Sequence, residues 1–204
     1  LADQSISLSF DGYTDTFRGR MRSLTRHRDE AFELLRLALV EPRFDLEPVE
    51  RIRSQIQTVI ANDQGDPVYS LGRAFWTNIF GDHPYSLPRR GTKETVAAIT
   101  ADDLREFVHT RFGLDNLFLG VVGDISAQKL ALLLDKTFGD LPAKSEPYIV
   151  PEAEVDTRFE VLVIERDTPQ STVNFAQPGL KRDDPDYYVA YVMNHILGGG
   201  SFSS

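Results

Sequence analysis

The groups best able to bind a metal here are four histidines, His27, His83, His109 and His195, because the 204-residue chain has no cysteine. No two of them stand at ligand spacing. Zinc takes three or four donors at about 2.0–2.3 Å, commonly two from one helix. The segment His27-Arg-Asp-Glu30-Ala31 follows the inverted zincin pattern H-x-x-E-H except at its last place. Alanine has no donor atom, so the segment reads as a solvated helix start with Glu30 near the positive end of the dipole. Asp102 and Asp103 are adjacent carboxylates that could trade a proton, but they fall in the first turn of a predicted helix, where aspartate is common. His83-Pro84-Tyr85 reads as a shaped loop with Tyr85 packed. The run Gly198-Gly199-Gly200-Ser201-Phe202 lacks the Lys-Ser/Thr of a phosphate loop and follows a helix, not a strand. Its glycines can stop that helix or let backbone approach a ligand closely. No residue is assigned a catalytic or metal-ligating role.

The elements that would position these residues follow from periodicity. Ile6, Leu8 and Phe10 alternate with Ser5, Ser7, Ser9 and Asp11, which predicts a half-buried strand. Thr14 to Leu24 supplies a second run, making an antiparallel hairpin. From Asp29 the period becomes helical, with Phe32, Leu35 and Leu39 on one face until Pro42 ends the helix. A helix over 46–63 is predicted to bury Val49, Ile52, Ile56, Val59 and Ile60. Asp66-Pro67 opens a third helix through Phe80. Thr100 and Asp103 form a capping box for a helix to Phe112, and Ser126 caps another to Phe138. Leu117–Val122 reads as a buried strand. After a polar, Pro-containing linker over 143–157, Phe159–Ile164 and Ser171–Phe175 read as strands. Asp184-Pro185 opens a last helix that the glycines stop at Leu197.

Composition excludes several classes. The formal charge is −9, and Lys and Arg do not cluster with aromatics, so nucleic acid is not a predicted partner. No apolar run is long enough for a membrane-spanning helix. Disulfides, zinc ribbons and thiol catalysis need cysteine. The chain opens without Met and stops inside a loop, so it is expected to be a piece of a longer protein.

Six segments, in order and spacing, resemble the pitrilysin/insulinase family of zinc peptidases: EPRF at 41–44, VERIR at 49–53, HPYS at 83–86, GTKETVAAIT at 91–100, LFLGVVGDI at 117–125 and ILGGGSFSS at 196–204. The family includes bacterial zinc proteases, mitochondrial processing peptidase and the core proteins of respiratory complex III. The resemblance implies an α+β fold, with helices packed on a mostly antiparallel sheet and two homologous halves in succession. Residues 1–146 would be most of the first half and 147–204 the beginning of the second. In active members the helix aligned with 46–63 carries a glutamate zinc ligand and a second glutamate seven residues before it. Here those positions are Val59 and Ile52, which cannot coordinate zinc. Glu50 lies about 200° around the helix from Ile52 and cannot substitute.

The resemblance therefore implies a non-catalytic, substrate-binding subunit that completes a peptide chamber, with no cofactor of its own. Zinc would sit in a homologous partner, as a heterodimer, or the chain would self-associate. Family substrates are peptides held extended, and the glycine-rich loop at Gly198, Gly199, Gly200, Ser201 and Phe202 is the implied contact. Two alternatives follow from the same family. One is an active zinc endopeptidase whose H-x-x-E-H precedes Leu1; the other is a structural assembly subunit like the complex III core proteins. At family level a bacterial periplasmic site is favoured over a cytoplasmic one.

Overall fold

The computed structural model describes residues 4–155, 158 and 160–199. Strands β1 (Ser7–Gly12) and β2 (Phe17–Arg22) form an antiparallel hairpin, with Ser7 opposite Arg22 and Gly12 opposite Phe17. The Tyr13 N–H donates to the Thr16 carbonyl at 2.8 Å and closes the turn. The predicted alternation holds. Leu8, Phe10 and Met21 share one half-buried face, and Phe17 on that face packs on Phe112 with ring centroids 5.1 Å apart.

Seven helices follow among the described residues: α1 (Arg28–Val40), α2 (Leu46–Gly65), α3 (Pro67–Phe80), α4 (Lys93–Ala98), α5 (Ala101–Arg111), α6 (Ala127–Phe138) and α7 (Tyr187–Asn194). The fold is thus α+β, helices dominating over a small antiparallel sheet. Several helix starts are dictated locally. The Asp66 side chain accepts the Val68 N–H at 2.8 Å with Pro67 in the first turn. Thr100 and Asp103 cap each other reciprocally, Asp103 Oδ2 accepting the Thr100 N–H at 2.6 Å and Thr100 Oγ1 the Asp103 N–H at 3.2 Å. Ser126 accepts from the Lys129 N–H at 3.3 Å. Helix α4 was not predicted. It has fewer than two full turns, too few for a period to register, and is held by a Thr92–Thr95 box. Helix α7 begins two residues later than predicted, because Asp184 accepts the Asp186 N–H at 2.8 Å in a turn of its own.

The densest packing is between α1 and α6. Ala31 is fully buried, and Phe32, Leu133, Thr137 and Phe138 are buried with it. Ion pairs run along the rim of this seam: Asp29–Lys129 at 2.9 Å, Glu33–Lys136 at 2.8 Å and Arg36–Asp140 at 3.6 Å.

Three expected strands are not strands here. Leu117–Val122 is neither paired nor buried, with Phe118 93% and Val122 102% exposed. The described parts of 159–164 and 171–175 are likewise unpaired and exposed. An apolar run favours extended backbone, but a strand needs a neighbour for its N–H and C=O groups. Among the described residues none lies alongside. The chain accordingly exposes 16129 Å², against about 9,600 Å² for a compact protein of its mass.

Two outcomes test the seam. Ala31→Leu forces extra methylenes between α1 and α6 and should cost about 1–3 kcal/mol, read as a lower urea midpoint. Hydrogen bonds from Lys129 and then Arg28 hold the Asp29 carboxyl below its usual range, and Lys136 and then Arg36 do the same for Glu33. A carboxylate depressed in the folded state adds stability that is complete above its unfolded pKa and lost as pH falls through the folded one. Resistance to urea should therefore decline from about pH 5 downward. The decline should be shallower in a Lys129→Met/Lys136→Met double variant.

Candidate functional site

Helix α2 carries the positions at issue, and its rotation is set by Arg53. The Arg53 guanidinium donates to the carbonyls of Val96, Ala97 and Ile99, the last at 2.7 Å, so it caps the C-terminal end of α4. Its Nε also meets Glu50, 3.1 Å away. With Arg53 turned towards α4, Ile60 is buried and Val49 and Ile56 are half-buried. Ile52 and Val59 lie some 60–80° further round from Val49, and they are 45% and 38% exposed. This corrects the expectation that both are core residues. They form an outward apolar pair on the flank of the packed stripe.

Donor chemistry is sparse around that face. Among the described residues no three His, Asp or Glu side chains converge in a set that could hold a metal ion. His27 Nδ1 is 3.7 Å from Glu30, and its Nε2 accepts from Arg26 at 3.2 Å. Ala31, where the inverted motif would end in histidine, lies inside the α1–α6 seam. The described residues do not fit a zinc ion. Asp102 and Asp103 do not form an acid–base pair either. Asp103 is spent on the cap, and the Thr100 N–H holds its carboxyl below the ordinary range. Asp102 pairs outward with Arg105 at 2.7 Å.

His83-Pro84-Tyr85 forms a tight turn tied to two neighbouring segments. His83 Nδ1 accepts the Tyr85 N–H at 3.1 Å, and its Nε2 lies 2.9 Å from the Pro151 carbonyl. The Tyr85 hydroxyl donates to Asp15 at 2.7 Å, reaching the hairpin turn. That bond, and the nearby negative charge of Asp15, raise the Tyr85 phenol above its usual range. Between this loop, α3 and the hairpin turn lies an open groove of about 570 Å³, lined by Thr14, Arg73, Trp76, Phe80, Tyr85 and Arg89 among others. Trp76 stacks on Phe80 at 5.7 Å, and Phe80 meets Tyr85 edge-on at 5.6 Å. Arg89 donates to the Gly12 carbonyl at 3.0 Å and Arg73 to the Ser86 carbonyl at 2.5 Å. Sequence reasoning missed this groove. Only the bounds of α3 were predicted; Tyr69, Arg73, Trp76 and Phe80 recur on it at helical spacing, and the arginine among the aromatics was the available signal.

Of the predicted substrate-contact residues, Gly200, Ser201 and Phe202 lie outside the described residues. Gly198 and Gly199 end α7 in a wider turn over His195–Gly199. Gly198 has φ +136°, and a Cβ on Gly199 would stand 2.9 Å from the Asn194 carbonyl oxygen. Both glycines are required by that turn itself, whatever else it contacts. Among the described residues the main packing partner of this turn is α7, not α2 or α3.

A sequence profile described as "Peptidase M16 inactive domain" matches residues 98–204. The chain is 27% identical over 201 residues to "Non-peptidase homolog YmxG" of Helicobacter pylori, a match spanning 98% of this chain and 46% of that protein. It is 31% identical over 163 residues to an uncharacterized zinc protease of Streptomyces coelicolor, covering 77% of this chain and 36% of that one. A crystal structure of a peptidase M16 inactive domain from Pseudomonas fluorescens matches with a TM-score of 0.81 at 22% identity, over 100% of this chain and 50% of that one. That likeness is one of fold. The chain spans half or less of the length of these relatives.

Replacing Arg53 by Met should test what aims α2. Losing its charged bonds to the α4 carbonyls should cost about 1–3 kcal/mol in urea unfolding. An unchanged midpoint would mean that α2 is oriented by apolar packing alone.

Proposed function

The chain belongs to the peptidase M16 inactive-domain family, and we propose that it serves there as a non-catalytic, substrate-binding subunit of a zinc metallopeptidase. One observation carries the reading. The outward face of α2 presents Ile52 and Val59, hydrocarbon at both positions where the pitrilysin/insulinase resemblance aligns glutamates with a zinc site. Such a face cannot polarise a peptide carbonyl or hold a metal-bound water. It can close one wall of a chamber against a chain that does.

The proposal extends to the assembly. The chain leaves more surface to water than a compact protein of its mass, and Phe118, Val122, Ile149, Val163 and Phe175 are among the large apolar side chains exposed on it. A zinc-bearing homologous subunit, or a second copy of this chain, would cover part of it and complete the peptide chamber. The groove beside Trp76 and the glycine turn at 198–199 are two surfaces of this chain available to an extended peptide. A division into halves at residue 146, and a periplasmic site in a bacterium, belong to the same proposal.

The metal content of the full-length protein, purified alone without added metal, should be near zero zinc per chain, and the preparation should cleave no peptide. Val59→Glu alone should restore neither zinc nor cleavage, because one carboxylate lacks the other ligands. One tightly bound zinc per wild-type chain, with cleavage that a chelator abolishes, would replace this reading with that of an active endopeptidase.

A further inference from the structure

The hairpin carries a charge pattern that neither the fold nor the inactive-domain assignment accounts for. In the β1–β2 register Ser7 faces Arg22, Ser9 faces Arg20 and Asp11 faces Arg18. All six side chains fall on the sheet face opposite Leu8, Phe10 and Met21, and all are exposed. That face therefore bears three guanidinium groups against one carboxylate, in a chain whose formal charge is −9. Arg18 is steadied over the Tyr13 ring at 5.1 Å. Among the described residues the Arg20 and Arg22 side chains have neither a hydrogen bond nor an ion pair. Three arginines at alternate positions on one face form a ladder with a rung about every 7 Å.

An extended peptide has the same spacing between side chains on one face. We propose that this face of the hairpin binds an extended acidic peptide, with carboxylates at alternate positions meeting Arg18, Arg20 and Arg22. This rests on the peptide-binding reading above and names the class of peptide. Guanidinium–carboxylate pairs with two parallel N–H···O bonds supply direction as well as attraction. Ser7 and Ser9 beside the ladder add hydroxyls and little bulk. The geometry favours a peptide over a nucleic acid. The strand rings Phe10 and Phe17 lie on the opposite face, and the one ring beside the ladder within the hairpin, Tyr13 in the turn, is covered by Arg18, so successive bases have no row of rings to stack on. The net negative charge of the chain also opposes the approach of a long polyanion.

The test is a fluorescence-anisotropy titration of the full chain at low salt with three labelled peptides of one length, bearing Glu, Gln or Lys at alternate positions. The Glu peptide should bind roughly tenfold more tightly than the Gln peptide, and the Lys peptide more weakly than either. Arg20→Gln/Arg22→Gln should abolish the preference, bringing the affinities of the Glu and Gln peptides together. Arg20→Lys/Arg22→Lys, which keeps the charge, should retain most of it, and circular dichroism should show both variants folded. Equal binding of the Glu and Gln peptides, or an unchanged Glu affinity in the Gln variant, overturns the acidic preference and leaves peptide binding standing. Stronger binding of an oligothymidylate than of the Glu peptide overturns it in favour of nucleic acid. Failure of the wild-type chain to bind any of the three removes the peptide-binding reading itself.

Discussion

The contact on which the described structure most depends is the seam between α1 and α6. Ala31 has no exposed surface, and Thr137, Leu133 and Phe138 close on the same seam. A small residue at position 31 lets the two helices approach closely, and the ion pairs at Asp29, Glu33 and Arg36 then have partners within reach along the rim. These pairs are partly exposed, so each adds little by itself. Their value lies in fixing the register of one helix on the other. Because α1 leads into α2 and α6 leads into the loop pinned on α5, that register propagates. The Leu114 N–H donates to the Pro142 carbonyl at 2.9 Å and the Glu146 N–H to the Thr110 carbonyl at 2.8 Å. The end of the α6 connection is thereby tied back to the helix that supports the hairpin through Phe112.

The helices were legible because their signals are local. Asp66-Pro67, Thr100 with Asp103, and Ser126 each satisfy backbone N–H groups within three residues of themselves, so the sequence states where each helix begins. The strands divide differently. β1 and β2 were legible because a hairpin brings its own partner. Leu117–Val122 has the composition of a strand and no partner beside it, and partnership is not written in a run of apolar residues. The same limit explains α2. A stripe of spacing three and four fixes a broad face but not which edge of it turns inward. Here a polar residue decides: Arg53, bonded to the end of α4, rotates Ile52 and Val59 out of the packed stripe.

The groove was hidden for a related reason. Aromatic residues at helical spacing signal burial, and on α3 they are partly buried, against one another and against Tyr85. What makes a groove rather than a core is the loop opposite, which stands off because Tyr85 is drawn to Asp15 and Arg89 to Gly12. Those bonds join residues 70 and 77 positions apart, beyond the reach of periodicity. The HPYS segment could be recognised as a motif, but its part in holding that wall could not.

Ile52 and Val59 bear on how a peptidase fold can keep its architecture while losing its chemistry. Were they core residues, exchanging carboxylates for hydrocarbon would change the packing of α2, and a chain with one set could not share a helix arrangement with a chain carrying the other. They are instead on the outward flank, while Val49, Arg53, Ile56 and Ile60 hold the helix in place. Holding α2 and furnishing its open face are thus separate tasks, assigned to residues that share a helix but not a direction. A glutamate at position 59 would meet solvent or a partner without displacing the packed stripe, and a valine there leaves the stripe intact. The fold therefore constrains the chemistry of this face very little, since the residues that hold α2 and those that furnish its open face are different ones.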